Sequence, residues 1–261
     1  MTAVPGAPDL RVVPIEQIRQ HEKIDPLRVE RLRRRIEIDR VQLNPMVCAE
    51  ASSGELVLLD GATRTSALRE MGLRHAVVQI VQPNQIELET WHHVVRDCPP
   101  EETLSRIANC SGISVVENTG PPLIHLNDER RFSVVPMDTS PNEALNALVD
   151  TYIGKWNVSR VADPGADSVA WRFPDWSMIV KFPVLSTEDV VHAAVENDYL
   201  PAGITRFVIE GRALRLNVQL ALLETSLTQA EKQEQLDVLL EERAHAGRIR
   251  RYEETVYVLD D

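Results

Sequence analysis

The stretch "LVLLDGATRTSALREMG", residues 56–72, constrains the fold more than any other part of the chain. Its four opening apolar residues fit a buried strand, Asp60-Gly61 ends that run, and "ATRTSALREM" begins a helical one with Gly72 as its stop. A strand that passes into a helix through Asp-Gly is a ready-made anion site. The first helical N–H groups lack partners there, and the helix dipole turns its positive end toward the joint. Gly61 lets backbone approach a phosphate with no Cβ in the way. The amides of Gly61, Ala62, Thr63 and Arg64 line the turn, Thr63 and Thr65 carry hydroxyl donors, and Arg64 offers a charge-assisted fork. Asp60 would repel bare phosphate and suits a metal-bridged one, or a network with Arg64. The bland alternative is an ordinary capped helix with a surface arginine, because Asp-Gly-x-x-Arg is short and common.

The flanking elements make this joint part of a mixed α/β unit. "LRVVPIEQI" reads as a strand running into a turn or short helix, and Asp25-Pro26 is a helix start with the acid as cap. The helix over 26–38 is followed by "NPMVCAE" and "GELVLLD", two strands joined by the turn "SSG". "HAVVQIV" is a further β-branched strand. This order fills residues 9–97, and "RDCPPEE" at 96–102 breaks the pattern and marks the boundary to a second, α+β unit over 98–261. In that unit 101–110 reads as helix and "GISVVE" as strand. "SPNEALNALVDTYIG" is a helix capped at Ser140, "SVAWRF" and "WSMIVKFP" form a hairpin, and Ser186 opens a capping box. "TQAEKQEQLDVLLEERAHAG" is a polar, surface-type helix before a last strand, "EETVYVLD".

Composition narrows the function. The net charge of −12 argues against wholesale binding to nucleic acid. In the one basic run, "RVERLRRRIEIDR", Leu27, Leu32 and Ile36 fall at helical spacing, so its arginines read as a solvated face. No apolar run approaches the roughly 20 residues needed to span a bilayer, and the first residues carry no secretory pattern. The three cysteines, Cys48, Cys98 and Cys110, match no zinc or redox spacing and fit a reducing, cytoplasmic setting.

Three further segments carry chemistry-bearing residues. Glu22 stands in the loop "HEKIDP", where binding residues concentrate, although loop glutamates are usually solvated. In "ETWHHVV" the strand pleat sets His92 opposite Trp91 and His93, a core tryptophan with one satisfied histidine is the plain reading, and no third ligand suggests zinc. "AGITRFVIEGRALRLNVQL" (202–220) brings Arg206, Arg212 and Arg215 to a strand-turn-strand, suited to a carboxylate or phosphate clamp or simply to an exposed hairpin.

Together, a glutamate-bearing loop, "NP" opening a strand, and "LDGATRTSALREMG" within the first 72 residues resemble the ParB/sulfiredoxin-like domain. Sulfiredoxins place a catalytic cysteine just before the motif arginine, and here that position is Thr63. Chromosome-partitioning ParB proteins carry "NPR" and "GERR" boxes, where this chain has "HEKID" and "GATR". The third branch, the free L-serine kinases, resembles the chain best. A ParB-like, nucleotide-switched DNA-binding regulator is the alternative.

The kinase resemblance implies a phosphotransferase with an alcohol acceptor, making O-phospho-L-serine for amino-acid or siderophore biosynthesis from ATP or ADP with Mg2+. Glu22 would be the base, and Asp60 would hold the metal directly or through water. Residues 61–65 would carry the nucleotide phosphates. Trp91 and His92 would wall the serine pocket, Asn44 would orient the Glu22 loop, and Thr205, Arg206 and Arg212 would contribute from the C-terminal part. "ATR" departs from the "HHR" of the archaeal, ADP-using enzymes and is closer to the siderophore-linked, ATP-using ones. Homoserine and threonine stay open as acceptors at this point.

Overall fold

The computed structural model describes residues 7–52, 54–117 and 120–251, so the expected strand "EETVYVLD" lies outside the described residues. The first six strands are β1 (Asp9–Pro14), β2 (Ile18–Arg19), β3 (Val41–Gln42), β4 (Met46–Glu50), β5 (Leu56–Asp60) and β6 (His75–Ile80). Five of them form a sheet of order β1-β6-β4-β5-β2. β4 runs parallel to β6 and antiparallel to β5, with Met46 opposite Val78 and Cys48 opposite Leu58. The helices α1 (Pro26–Asp39) and α2 (Ala62–Glu70) pack against each other beside this sheet. Asp25 caps α1 by accepting from the amides of Leu27 and Arg28, as the Asp-Pro pair implied. The buried stripe of α1 is Val29 and Ile36 with Leu32 half-buried, whereas Leu27 is exposed. Arg33, Arg34 and Arg35 pair with Glu30, Glu37 and Asp39 of the same helix, the solvated face expected of that run.

The second half brings β7 (Ile86–Thr90), β8 (His92–Arg96), β9 (Ile113–Glu117), β10 (Leu123–Leu126), β11 (Arg131–Pro136), β12 (Asn157–Val161), β13 (Trp176–Lys181), β14 (Thr205–Ile209) and β15 (Val218–Gln219). Its helices are α3 (Pro100–Ala108), α4 (Pro141–Asp150), α5 (Ala166–Arg172), α6 (Thr187–Glu196), α7 (Leu220–Glu224) and α8 (Gln229–His245). A six-stranded sheet runs β12-β8-β13-β10-β11-β9. Ser140, Ser186 and Thr228 each close a capping box at a helix start.

Several elements differ from expectation. β8, expected in the first unit, lies inside the second sheet between β12 and β13, because His93, Val94 and Val95 are all buried there. "SVAWRF" lies in α5 and its C-cap rather than in a hairpin arm, with Val169 buried, Phe173 half-buried against the same cluster, and Trp171 86% exposed. Residues 202–220 form no hairpin either. β14 pairs with β7 and β15 with β3, so the chain crosses from one unit to the other between them. The last helix, α8, returns to the N-terminal sheet instead of lying free on the surface. Leu236 is buried in the N-terminal core, and Gln229 and Gln233 hydrogen-bond to the Val12 N–H and to the Leu10 and Val12 carbonyls. Those are the outward-facing groups of edge strand β1, so α8 satisfies an edge that would otherwise invite another strand. Among the described residues, no helix is long and apolar enough to cross a membrane.

Candidate active site

The joint of β5 and α2 is built as the sequence implied. Gly61 sits at the helix N-cap with φ 102°, a left-handed conformation that favours glycine, and no side chain caps the helix. The ladder begins with the Thr65 amide on the Gly61 carbonyl, which leaves the amides of Ala62, Thr63 and Arg64 without intrahelical partners. Gly61 has a second reason to be glycine. A Cβ there would lie 2.8 Å from Arg64 Nη1 and 2.9 Å from Met46 Cγ.

The side chains around this turn divide into those that face it and those that do not. Asp60 Oδ2 accepts from Arg212 Nη1 at 2.8 Å, and the Asp60 side chain is 43% exposed. Arg64 donates to the Pro45 carbonyl at 2.8 Å; burial pushes its pKa down and Asp60 opposes that shift. Thr63 is half-buried on the first turn. Thr65 is fully buried and its hydroxyl donates to the Gly61 carbonyl, so it presents no donor to a ligand, contrary to the expectation for that residue. Threonine in a first helical turn finds a nearer acceptor in the preceding backbone.

The loop that carries Glu22 is tied to α2 and β5 through the two residues before it. Gln20, two residues earlier, donates to Ser66 Oγ of α2 at 3.0 Å, and His21 Nδ1 meets the Leu58 carbonyl of β5 at 2.7 Å. The loop is tied on its other side to the segment before β14. Lys23 N donates to the Leu200 carbonyl and Leu200 N to the His21 carbonyl, both at 2.8 Å. The Glu22 carboxylate accepts from Gly203 N at 2.7 Å through Oε2, and through Oε1 from Thr205 N at 2.8 Å and Thr205 Oγ1 at 2.5 Å. His21 Nε2 also lies 2.9 Å from Thr205 Oγ1; burial pushes the His21 pKa down, and the neighbouring Glu22 charge opposes that shift. Each carboxylate oxygen has two lone pairs, so Oε2 keeps one open.

The remaining residues scatter more than expected. Arg206 stacks on Trp91, 4.6 Å from the ring centroid, and pairs with Glu89 at 2.7 Å. In the β7–β14 ribbon Arg206 is opposite Glu89 and Thr205 opposite Thr90. The pleat therefore turns Arg206 and Glu89 away from the face on which Thr205 meets Glu22. Trp91 is half-buried, not a core residue. His92 accepts from the Phe182 amide through Nδ1, and lies on the sheet face opposite that of His93 and Arg160, hence away from Glu22. Asn44 Oδ1 accepts from Arg215 N at 2.7 Å, so it orients the 213–217 segment rather than the Glu22 loop.

Three residues beside Glu22 carried no signal in the sequence: His21, Gly203 and Arg160. Arg160 Nη2 donates to the Ala202 carbonyl at 3.1 Å, and a Cβ on Gly203 would fall 2.3 Å from that same nitrogen. "NVSRVAD" around Arg160 contains no motif, and only the return of the chain at 200–205 brings it to the loop.

No protein-family model matches the chain. Over 217 residues it is 27% identical to the ATP-dependent L-serine kinase SbnI of Staphylococcus aureus, covering 82% of this chain and 84% of that protein. The solved structure of C-terminally truncated SbnI from Staphylococcus aureus superposes with a TM-score of 0.75 at 25% identity, over 94% of this chain and all of that one. A free serine kinase in complex with AMP superposes with a TM-score of 0.72 at 14% identity, over 83% of this chain and 94% of that one. The fold is that of the free serine kinases. A mutant free serine kinase in complex with ADP matches to the same extent, with a TM-score of 0.72 at 14% identity.

Proposed function

We propose that the protein phosphorylates free L-serine, moving the terminal phosphoryl group of a nucleotide to the serine hydroxyl to give O-phospho-L-serine. The observation that carries this reading is a glutamate held by Gly203 and Thr205, in a loop bonded through Gln20 and His21 to α2 and β5, the two elements that meet at the uncapped turn. Similarity to a protein named as an ATP-dependent L-serine kinase supports it and favours ATP as donor.

Phosphoryl transfer needs alignment, charge neutralisation and a base more than covalent chemistry. The amides of Ala62, Thr63 and Arg64 and the Thr63 hydroxyl hold the nucleotide phosphates. Glu22 takes the hydroxyl proton as the serine oxygen attacks, through the open lone pair of Oε2. Thr205 and Gly203 aim the carboxylate, and His21 fixes Thr205 between them. Arg212 stays with Asp60 and limits repulsion between that carboxylate and the phosphates. The 200–212 segment completes the cleft, with Trp91 and Arg206 on the opposite face of the ribbon.

Asp60 fits Mg2+. The ion usually takes one or two carboxylates plus phosphate oxygens, and Asp60 Oδ1 is not the atom paired with Arg212. Bound there, Mg2+ would neutralise phosphate charge. A reaction that consumes ATP and a free amino acid places the protein in the cytoplasm. Incubation with ATP or ADP, Mg2+ and L-serine, followed by phosphorus NMR, tests the reading, with threonine and homoserine in parallel. Phosphoserine is the expected product. Absence of phosphoserine with both nucleotides would refute it.

A further inference from the structure

The sequence pointed to Arg206 and Arg212 as partners for a substrate carboxylate, but each already has an acid of its own. Arg206 is paired with Glu89 and covered by Trp91, and Arg212 is paired with Asp60. Arg160 is different. Among the described residues it forms no ion pair within 4.0 Å, and its one hydrogen bond to the Ala202 carbonyl uses a single donor of the five a guanidinium carries. It is exposed, yet its guanidinium is pressed against Gly203, the residue whose amide holds Glu22 Oε2.

The surroundings give this placement a direction. Arg160 stands on β12 opposite His93 of β8, whose ring is fixed from below by the Tyr152 hydroxyl at 2.8 Å. Arg160 therefore rises from a rigid sheet rather than from a loop. Arg28, at the start of α1, lies near enough to add positive charge to the same corner. Glu22 offers a carboxylate to a hydroxyl, and Arg160, which feels the Glu22 charge across Gly203, keeps most of its guanidinium donors open. A free 2-amino-3-hydroxy acid carries a hydroxyl and a carboxylate a few ångströms apart. An alcohol or a seryl side chain within a protein carries no such carboxylate.

We infer that Arg160 reads the α-carboxylate of the amino-acid substrate whose hydroxyl faces Glu22, and so makes the enzyme specific for the free amino acid. This rests on the serine-kinase reading above. A bidentate Arg–carboxylate pair is directional and charge-assisted, so it discriminates strongly against an acceptor that lacks the acid.

The test compares L-serine with ethanolamine, which keeps the hydroxyl and amine and lacks the carboxylate. Wild-type protein should strongly prefer serine in kcat/KM. Arg160→Gln removes the charge and the fork at an exposed position and, being shorter, also gives up the bond to the Ala202 carbonyl. It should raise KM for serine about tenfold to a hundredfold, leave KM for the nucleotide unchanged, and reduce the preference for serine by the same factor. Arg160→Lys, with the charge but without the fork, should fall between the two. A merely structural arginine would slow serine and ethanolamine alike and leave their ratio intact. An unchanged ratio in folded Arg160→Gln protein would overturn the inference while wild-type turnover of serine leaves the kinase reading standing. A wild type that makes no phosphoserine overturns the kinase reading first, and this inference with it.

Discussion

Replacing Glu22 by glutamine separates its role as an anchor from its proposed role as base. The carboxylate accepts three hydrogen bonds, two through Oε1 from Thr205 and one through Oε2 from Gly203. Glutamine keeps the shape and one acceptor oxygen. With that oxygen on Thr205, its NH2 group faces the Gly203 N–H, so one charge-assisted bond is lost and two donors oppose each other. That should cost about 1.5–3 kcal/mol of stability, read from urea unfolding. Loss of a general base should lower kcat about 10²–10⁴-fold, roughly 2.7–5.4 kcal/mol in the barrier, more than the lost anchor explains. Nucleotide affinity, measured by calorimetry with ADP, should change less than about twofold, because the proposed phosphate site is the start of α2 and not the Glu22 loop. A folded Glu22→Gln protein whose kcat stays within tenfold of wild type would refute the base assignment. Nucleotide affinity that falls as far as kcat would make Glu22 a brace of the whole cleft.

Other residues carry predictions of their own. Thr63→Ala should weaken nucleotide binding about threefold to tenfold, whereas Thr65→Val should leave it unchanged and cost only the internal bond to Gly61, about 1 kcal/mol; equal effects in calorimetry would contradict the placement of Thr65. Gly61→Ala forces a Cβ to within 2.8 Å of Arg64 and into a left-handed φ, so it should destabilise the fold by about 1–3 kcal/mol and loosen ADP binding together. Burial pulls the His93 pKa down to about 3, below the 6.5 of a free imidazole. Between those values the unfolded chain binds a proton that the native chain refuses. The contribution is therefore complete above pH 6.5 and is lost as the pH falls toward 3, by up to about 4–5 kcal/mol. His93→Gln, which cannot charge, should show a shallower fall in unfolding free energy over that window, and an unchanged slope would argue against the assignment.

Parts of this site were legible from the residues because their causes are local. The turn at Asp60-Gly61, the cap at Asp25 and the boxes at Ser140 and Ser186 each depend on groups within one helical turn, so short spacing predicts them. Local reading failed where an element's surroundings chose between two adequate answers. "SVAWRF" contains enough apolar and β-prone residues for a strand, yet only Val169 is fully buried, with Phe173 half-buried beside it. Thr65 could have faced a ligand or its own helix, and packing against the sheet turned it inward.

What residue order alone determined is the strand-turn-helix with its uncapped amides, the acid at its start, and the loop that carries a glutamate ahead of α1. The tertiary structure decided which distant groups meet them. Thr205 and Glu22 are 183 positions apart, and nothing near either residue announces the other. The chain's return at 200–205 selected Gly203 and Thr205 to hold the carboxylate, gave Arg206 and Arg212 to other acids, and left Arg160 beside Glu22 with donors to spare. Spacing encodes contacts along one element; contacts between elements depend on which surfaces bury each other, a property of the whole packed chain.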